Sequence, residues 1–301
     1  MIVTSKTLSA TSAPSAKSIS SQLTLRGTRD GDLAATLLSH NPSSSNTTLT
    51  TSHPSGTKPE RTPLFTWAQL QTIISSGNLQ LLSRHPQDLR EYFAWMDSVK
   101  LSYGSVTNFL LCERFTASKL LEKAKASSCC TSKSASDCTK EGKDRCFRSY
   151  FKQGVDCQIL VNDWPYSVPE GVVHHVVWSY LPILHRDLVS KPNDSDVESI
   201  AWNVVAKRGL CGTISPDTGL KIPSLQDHIS HLSDLKLSLT GKDQHLQNKV
   251  EETLREACQE LVRFIRDHWD MERCEAAFFA NPPSLQSVPS LAHFHVLIKH
   301  I

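Results

Sequence analysis

Apolar positions along the chain recur first at helical and later at strand spacing. After Thr66, a residue suited to capping a helix, Trp67, Leu70, Ile73 and Ile74 follow at three- and four-residue intervals, and Gly77 can end the run. Pro86 suits a first helical turn. Leu89, Phe93 and Met96 then share one face, widened by Tyr92, Trp95 and Val99, until Tyr103-Gly104-Ser105 breaks the pattern ahead of a second apolar stretch, Val106 to Phe115. Strand texture begins at Cys157 to Val161, turns at Asn162-Asp163-Trp164-Pro165-Tyr166 and resumes at Val172 to Trp178. From Gln244 the spacing of Val250, Leu254, Ala257, Leu261, Phe264 and Ile265 predicts one long amphipathic helix reaching about Trp269. Phe278 to Ala280 and Ala292 to Ile298 read as closing strands. The order predicts an α+β fold: a helical N-terminal layer and a small, mainly antiparallel sheet, with the long helix packed between strand pairs in sequence.

Three stretches depart from this texture. Residues 1–62 are Ser/Thr-rich, carry Pro14, Pro42, Pro54 and Pro59, and offer too little apolar surface to offset ordering entropy, so a disordered tail is expected. Lys6, Lys17, Arg26 and Arg29 precede the first acid, Asp30, a pattern also compatible with a mitochondrial transit peptide; a phosphorylatable tail is the simpler reading. Residues 122–148 and 186–243 are polar enough to read as insertions in a single domain of residues 63–301, the second with a short helix near Leu225 to Leu235.

Charge and cysteine content narrow the function classes. Lys and Arg number 32 against 30 Asp and Glu, a formal +2, which gives no basic stripe for nucleic acid. No apolar run approaches a membrane span and no secretory h-region opens the chain, so the expected compartment is the cytoplasm, with the nucleus open to such a protein. Nine cysteines, an odd count, fit reduced thiols. Cys129, Cys130, Cys138 and Cys146 lack the Cys-x-x-Cys knuckles of a structural zinc site, and no phosphate-cradling Gly-rich loop occurs, so neither metal nor cofactor is expected.

Candidate chemistry sits on the last strand, Ala292-His293-Phe294-His295-Val296-Leu297-Ile298. Alternation turns His293, His295 and Leu297 to one side and Phe294, Val296 and Ile298 to the other. Two imidazoles at i and i+2 can reach one phosphate or one metal ion, and either can act as nucleophile or proton carrier near neutral pH; half-buried strand histidines with hydrogen-bond partners are the competing role. Of the adjacent His174 and His175, only one can face the same side of the sheet. Asn162, Asp163, one of that histidine pair, Asn281, Ser287, His293 and His295 would converge if the two hairpins lie side by side; for Asp163 and Asn281 plain turn chemistry beside proline is the competing role.

The stretches Asn162-Asp163-Trp164-Pro165-Tyr166, His174-His175-Val176-Val177-Trp178 and Phe278-Phe279-Ala280-Asn281-Pro282-Pro283-Ser284-Leu285-Gln286-Ser287-Val288, followed by His293-Phe294-His295-Val296, resemble the fungal N-acetylglucosamine-induced protein family. The resemblance spans about Phe65 to Ile301 and includes Tyr92, Trp95 and Tyr103-Gly104-Ser105. A more distant likeness is to histidine triad nucleotide hydrolases and transferases. They too have an Asp before a Pro turn, a His opening the next strand, a helix, an Asn, a Gln-Ser-Val-like segment and an alternating His strand. That likeness implies a HIT-like fold and a nucleotide or nucleotide-sugar ligand, with Asp163 on a ribose hydroxyl, Asn281 and Ser287 on phosphate, and His174 behind the His strand. His293 would attack phosphorus with His295 beside it, or His295 would attack if the strand follows the transferase pattern, Leu297 then replacing a polar residue. Leu291 stands where the triad expects its first His, and the Pro165 to His174 loop is longer than the pattern. The expected function is therefore a nucleotide or nucleotide-sugar hydrolase or transferase, the alternative a non-catalytic binding or regulatory protein of the amino-sugar response.

Overall fold

A computed structural model describes residues 61–115, 144–232 and 244–301. The expected tail up to residue 60, the 122–143 part of the first insertion with Cys129, Cys130 and Cys138, and residues 233–243 lie outside the described residues.

Its centre is a six-stranded antiparallel sheet: β1 Cys157–Val161, β2 Val172–Ser179, β3 Leu210–Ser215, β4 Gly219–Lys221, β5 Cys274–Ala280 and β6 Ala292–His300, in the order β1-β2-β6-β5-β3-β4. Helices cover both faces. On one, α4 Ser195–Arg208, α6 Gln244–Ala257 and α7 Gln259–His268 bring Val204, Val205, Leu254, Leu261, Phe264 and Ile265 onto Ala276, Phe278, Phe294, Val296 and Ile298. On the other, Leu70 and Ile74 of α1 Trp67–Ser75 meet Cys211, Ala277, Phe279 and Leu297. Beside them, α2 Pro86–Tyr103 and the short α3 Val106–Phe109 set Val99, Val106 and Phe109 against Val176 and Trp178. Fully burying each Val, Leu, Ile or Phe side chain among these stabilises the fold by roughly 1.5–3 kcal/mol, so burial on both faces holds the sheet. None of the described helices is long and apolar enough to cross a membrane.

Local signals account for the N-terminal layer. The Thr66 hydroxyl accepts from Gln69 N at 3.3 Å while Gln69 Oε1 accepts from Thr66 N at 2.8 Å, a reciprocal cap on α1. Pro86 opens α2, and His85 Nδ1 accepts from Gln87 N at 3.3 Å. The buried face of α2 lies on the widening residues of the expected face: Tyr92 and Val99 are buried, Trp95 and Met96 half-buried, and Phe93 alone of the expected row is exposed. Trp164 from the β1–β2 turn packs on Tyr92 and Trp95, with ring centroids at 5.7 and 5.6 Å, and that contact sets the helix's rotation.

Two other expectations are corrected. The long amphipathic helix is two helices, α6 and α7, with the buried Cys258 between them. The described part of the supposed insertion, residues 186–232, builds α4, β3, β4 and α5 Leu225–Ile229, and β3 bonds to β5 inside the sheet. All six β3 residues are buried, so the strand shows no alternation, and α4 hides Val197, Ile200, Ala201, Val204 and Val205 behind a charged outer face. Near the end of the first supposed insertion, Cys146 and Phe147 are core residues.

Gly209, between α4 and β3, has φ +73°, and a Cβ there would overlap the Ala280 carbonyl oxygen and sit 3.1 Å from Pro282. Gly219 has φ +68° with nothing within 4 Å of such a Cβ. Gly209→Ala is therefore expected to lose about 3 kcal/mol or more in urea unfolding, and Gly219→Ala only about 1 kcal/mol. Equal losses would show that the close approach to Ala280 does not constrain the chain.

Candidate functional site

The register of β6 builds the site. His295 lies opposite Val176 on one side and Phe279 on the other, while His293 lies opposite Trp178 and Leu297 opposite His174. His174, His293 and His295 therefore face the α1–α2 side together. His174 Nε2 and His295 Nδ1 are 3.0 Å apart on the diagonal between the two strands. The His295 ring stacks on Phe279 with centroids at 4.6 Å, and His293 meets Trp178 at 4.6 Å and His295 edge-on at 5.3 Å.

Backbone groups assign the tautomers. Tyr166 N–H donates to His174 Nδ1 at 3.3 Å, so neutral His174 carries its proton on Nε2 and donates it to His295 Nδ1. His295 then keeps its own proton on Nε2. His293 is set the other way: Nδ1 donates to the Leu291 carbonyl at 2.7 Å, which leaves the Nε2 lone pair without a partner among the described residues. Leu291, the residue in place of an expected histidine, thus serves through its carbonyl.

Burial keeps all three rings neutral. Their exposures are 2% for His174, 5% for His293 and 8% for His295. His174 is pushed down to about 3, first by burial and then by Arg84 and His175. His295 falls well below the usual imidazole range, mainly by burial, with His174, His293 and Arg84 adding to it. Burial also lowers His293, against the opposing pull of its bond to Leu291.

The turn after β1 closes the cluster. Asn162 Oδ1 accepts from Trp164 N at 3.0 Å, which turns its amide nitrogen toward His174 Nε2 at 3.4 Å, a donor beside a donor in this tautomer and not a hydrogen bond. Tyr166 stacks on His174 at 5.5 Å, and the buried Asn281 side chain favours the ionised form of its hydroxyl. Burial nonetheless raises the Tyr166 phenol above its ordinary value. Arg84 donates from Nε to the Trp164 carbonyl at 2.9 Å, with Cζ 4.2 Å from the Tyr92 centroid and 5.2 Å from that of Tyr166. A cleft of about 210 Å³ along Arg61, His85, Asp88 and Trp164 to Val168 borders this turn without reaching His174, His293 or His295.

Of the residues singled out from sequence, Asn162, His174, Asn281, His293 and His295 come together. Three do not. Asp163 is exposed and ion-paired with Arg114. His175 faces the opposite layer, its ring 5.3 Å from that of Trp269, and Ser287 is exposed in the loop before β6. Tyr166 and Arg84 were missed: Tyr166 was read only as turn, and a lone Arg between Ser83 and His85 makes no motif. Among the described residues no group of three or more His, Cys, Asp and Glu is arranged to hold a metal ion.

The His174 shift has a definite pH consequence. Below the ordinary 6.5 the unfolded chain binds a proton there that the folded chain refuses until about 3. Stability from this group is complete above 6.5 and is lost as pH falls through that window, by up to about 1.4 kcal/mol per pH unit. Urea midpoints measured between about pH 6.5 and about pH 4.5 are expected to fall in the parent and to fall less steeply in His174→Phe. Equal slopes would show that His174 titrates normally in the folded protein.

Comparison with known proteins gives a family and one structural likeness. The family model described as "Protein of unknown function (DUF3605)" matches residues 66–207 and 224–299. The gap between those spans holds β3 and β4. No curated protein matches the chain. Among solved structures it is similar to the one described as "Crystal Structure of HTC1", at 20% identity over 79% of this chain and 86% of that chain, with a TM-score of 0.38. His174, His293, His295, the Trp164 turn and Arg84 fall inside the matched spans, and the chain belongs to this family of proteins of unknown function.

Proposed function

We propose that the histidine cluster is the reactive centre of a nucleotide or nucleotide-sugar hydrolase or transferase of histidine-triad type, in a protein like the fungal N-acetylglucosamine-induced family, with His293 as nucleophile. One observation carries this reading: the Leu291 carbonyl holds Nδ1–H of a neutral His293, which presents its Nε2 lone pair. An imidazole so held needs no base to become nucleophilic. Nε2 attacks phosphorus and the bond to the leaving oxygen breaks with its electron pair, giving a phosphoramidate. Water or an acceptor hydroxyl then displaces the imidazole and gives up its proton to solvent, which balances the proton that the leaving oxygen takes from solvent, giving product and restoring the neutral ring. The same tautomer logic disfavours His295, whose Nδ1 accepts from His174 and whose Nε2 carries the proton. Asp163, already engaged by Arg114, is left out of ligand binding in this reading.

A second reading has its own support. With each of the three rings no more than 8% exposed, the cluster also suits a binding or regulatory protein of the amino-sugar response in which the histidines order the sheet.

Mass spectrometry of products from nucleoside phosphoramidates, dinucleotides and nucleotide sugars separates the two. His293→Ala is expected to lose at least about a thousandfold in turnover, and His295→Ala about ten- to a hundredfold. Turnover unchanged in His293→Ala, or no turnover by the parent on any of these substrates, would overturn the catalytic reading in favour of the second.

A further inference from the structure

We propose that Arg84 is the anion-binding group of this site and takes the phosphate of its ligand, an inference that rests on the function proposed above and names a group outside the histidine strand. Arg84 is half-buried, its guanidinium packed on aromatic rings instead of set against a carboxylate. Here the nearby acids are engaged elsewhere: Asp88 and Glu91 by Arg61, and Asp163 by Arg114. No carboxylate among the described residues pairs with Arg84. Its protein partners are one carbonyl, Trp164 O at 2.9 Å, and the faces of two tyrosines. Aromatic faces stabilise the cation without occupying its in-plane donors. Only Nε is used, so the terminal NH2 groups remain as a planar fork of the shape that recognises phosphate oxygens.

The fork is tied to the histidines through one ring. Tyr166 lies 5.2 Å from Arg84 Cζ, stacks on His174 at 5.5 Å and stands 6.1 Å from His295. The three imidazoles hold neutral tautomers, so the uncompensated positive charge of the site resides on Arg84. An anion drawn there meets Tyr166 and, beneath it, the histidine face of the sheet. The field is felt at that distance, for Arg84 contributes to lowering both His174 and His295.

The competing role is a clamp that merely holds the Trp164 turn. Titration of the full chain with inorganic phosphate, followed by calorimetry and by ring-proton NMR of His174 and His295 assigned from single His variants, tells them apart. The parent is expected to bind phosphate saturably with movement of those ring signals. Arg84→Gln should weaken binding at least about tenfold, and Arg84→Lys, which keeps the charge and loses the fork, by a smaller factor. Thermal unfolding without phosphate reports the clamp role separately, and Arg84→Lys serves if Arg84→Gln does not fold. Phosphate affinity within about twofold of the parent in the folded Arg84 variants, no saturable binding by the parent, or binding that leaves the ring signals still would each overturn the assignment. His293-dependent turnover with Arg84-independent phosphate binding sinks this inference and leaves the proposed chemistry standing. Arg84-dependent phosphate binding without turnover does the reverse.

Discussion

The antiparallel register of β6 between β2 and β5 is the constraint on which the rest depends. Because side chains alternate, pairing Val176 with His295 and Phe279 with His295 places every second residue of three neighbouring strands on one face. A slip of one residue would send Phe294, Val296 and Ile298 to the α1–α2 side and the histidines into the apolar layer under α7. The two layers differ in chemistry, and that difference enforces the register: Phe264, Phe278 and Phe294 need an apolar partner surface, whereas His174, His293 and His295 need acceptors and donors. Tyr166 N, the Leu291 carbonyl and the His174–His295 contact supply partners for both nitrogens of His174 and for Nδ1 of His293 and of His295.

Low dielectric then makes the cluster sensitive to proton placement. A buried imidazole with one nitrogen committed to a backbone group has a single neutral tautomer, and a chain of such commitments propagates from Tyr166 N through His174 to His295. His293 starts from a carbonyl and so ends in the opposite state, with a lone pair where His295 has a proton. Arg84 adds a field that disfavours protonation of His174 and His295. Two histidines two residues apart on one strand thereby acquire different chemistry from their backbone partners.

Much of this was legible in the chain. Strands β1, β2 and β6 announce themselves by β-branched runs and by the alternation that put His293 and His295 together, and Thr66 and Pro86 mark helix starts through chemistry local to the backbone. Elements buried on both sides were not legible, because period and polarity are then both absent. Leu210 to Ser215 contains Cys, Gly, Thr and Ser, yet every residue is buried, while the helix before it presents Asp, Glu, Asn and Lys to solvent. The choice between His174 and His175 required only parity along a strand, but which parity applied depended on the pairing with β6. Asp163 shows the converse limit: an Asp beside a Pro turn has the right chemistry for a ligand, and Arg114, far off in sequence, takes it up.

Arg84 was invisible for a related reason: its surroundings come from two separate segments. Tyr92 is supplied by α2, and Trp164 and Tyr166 by the β1–β2 turn, whose backbone also caps His174. One short turn therefore carries two jobs, fixing the His174 tautomer through Tyr166 N and receiving the Arg84 donor through the Trp164 carbonyl. Both hydrogen bonds are to main-chain atoms, so side-chain identity in the turn matters mainly through the Trp164 and Tyr166 rings. Displacing this turn would remove a donor from His174 and a partner from Arg84 in the same movement. Access to His174 and its tautomer are in this way coupled by geometry, since the turn whose Tyr166 ring covers His174 is the one that engages its Nδ1.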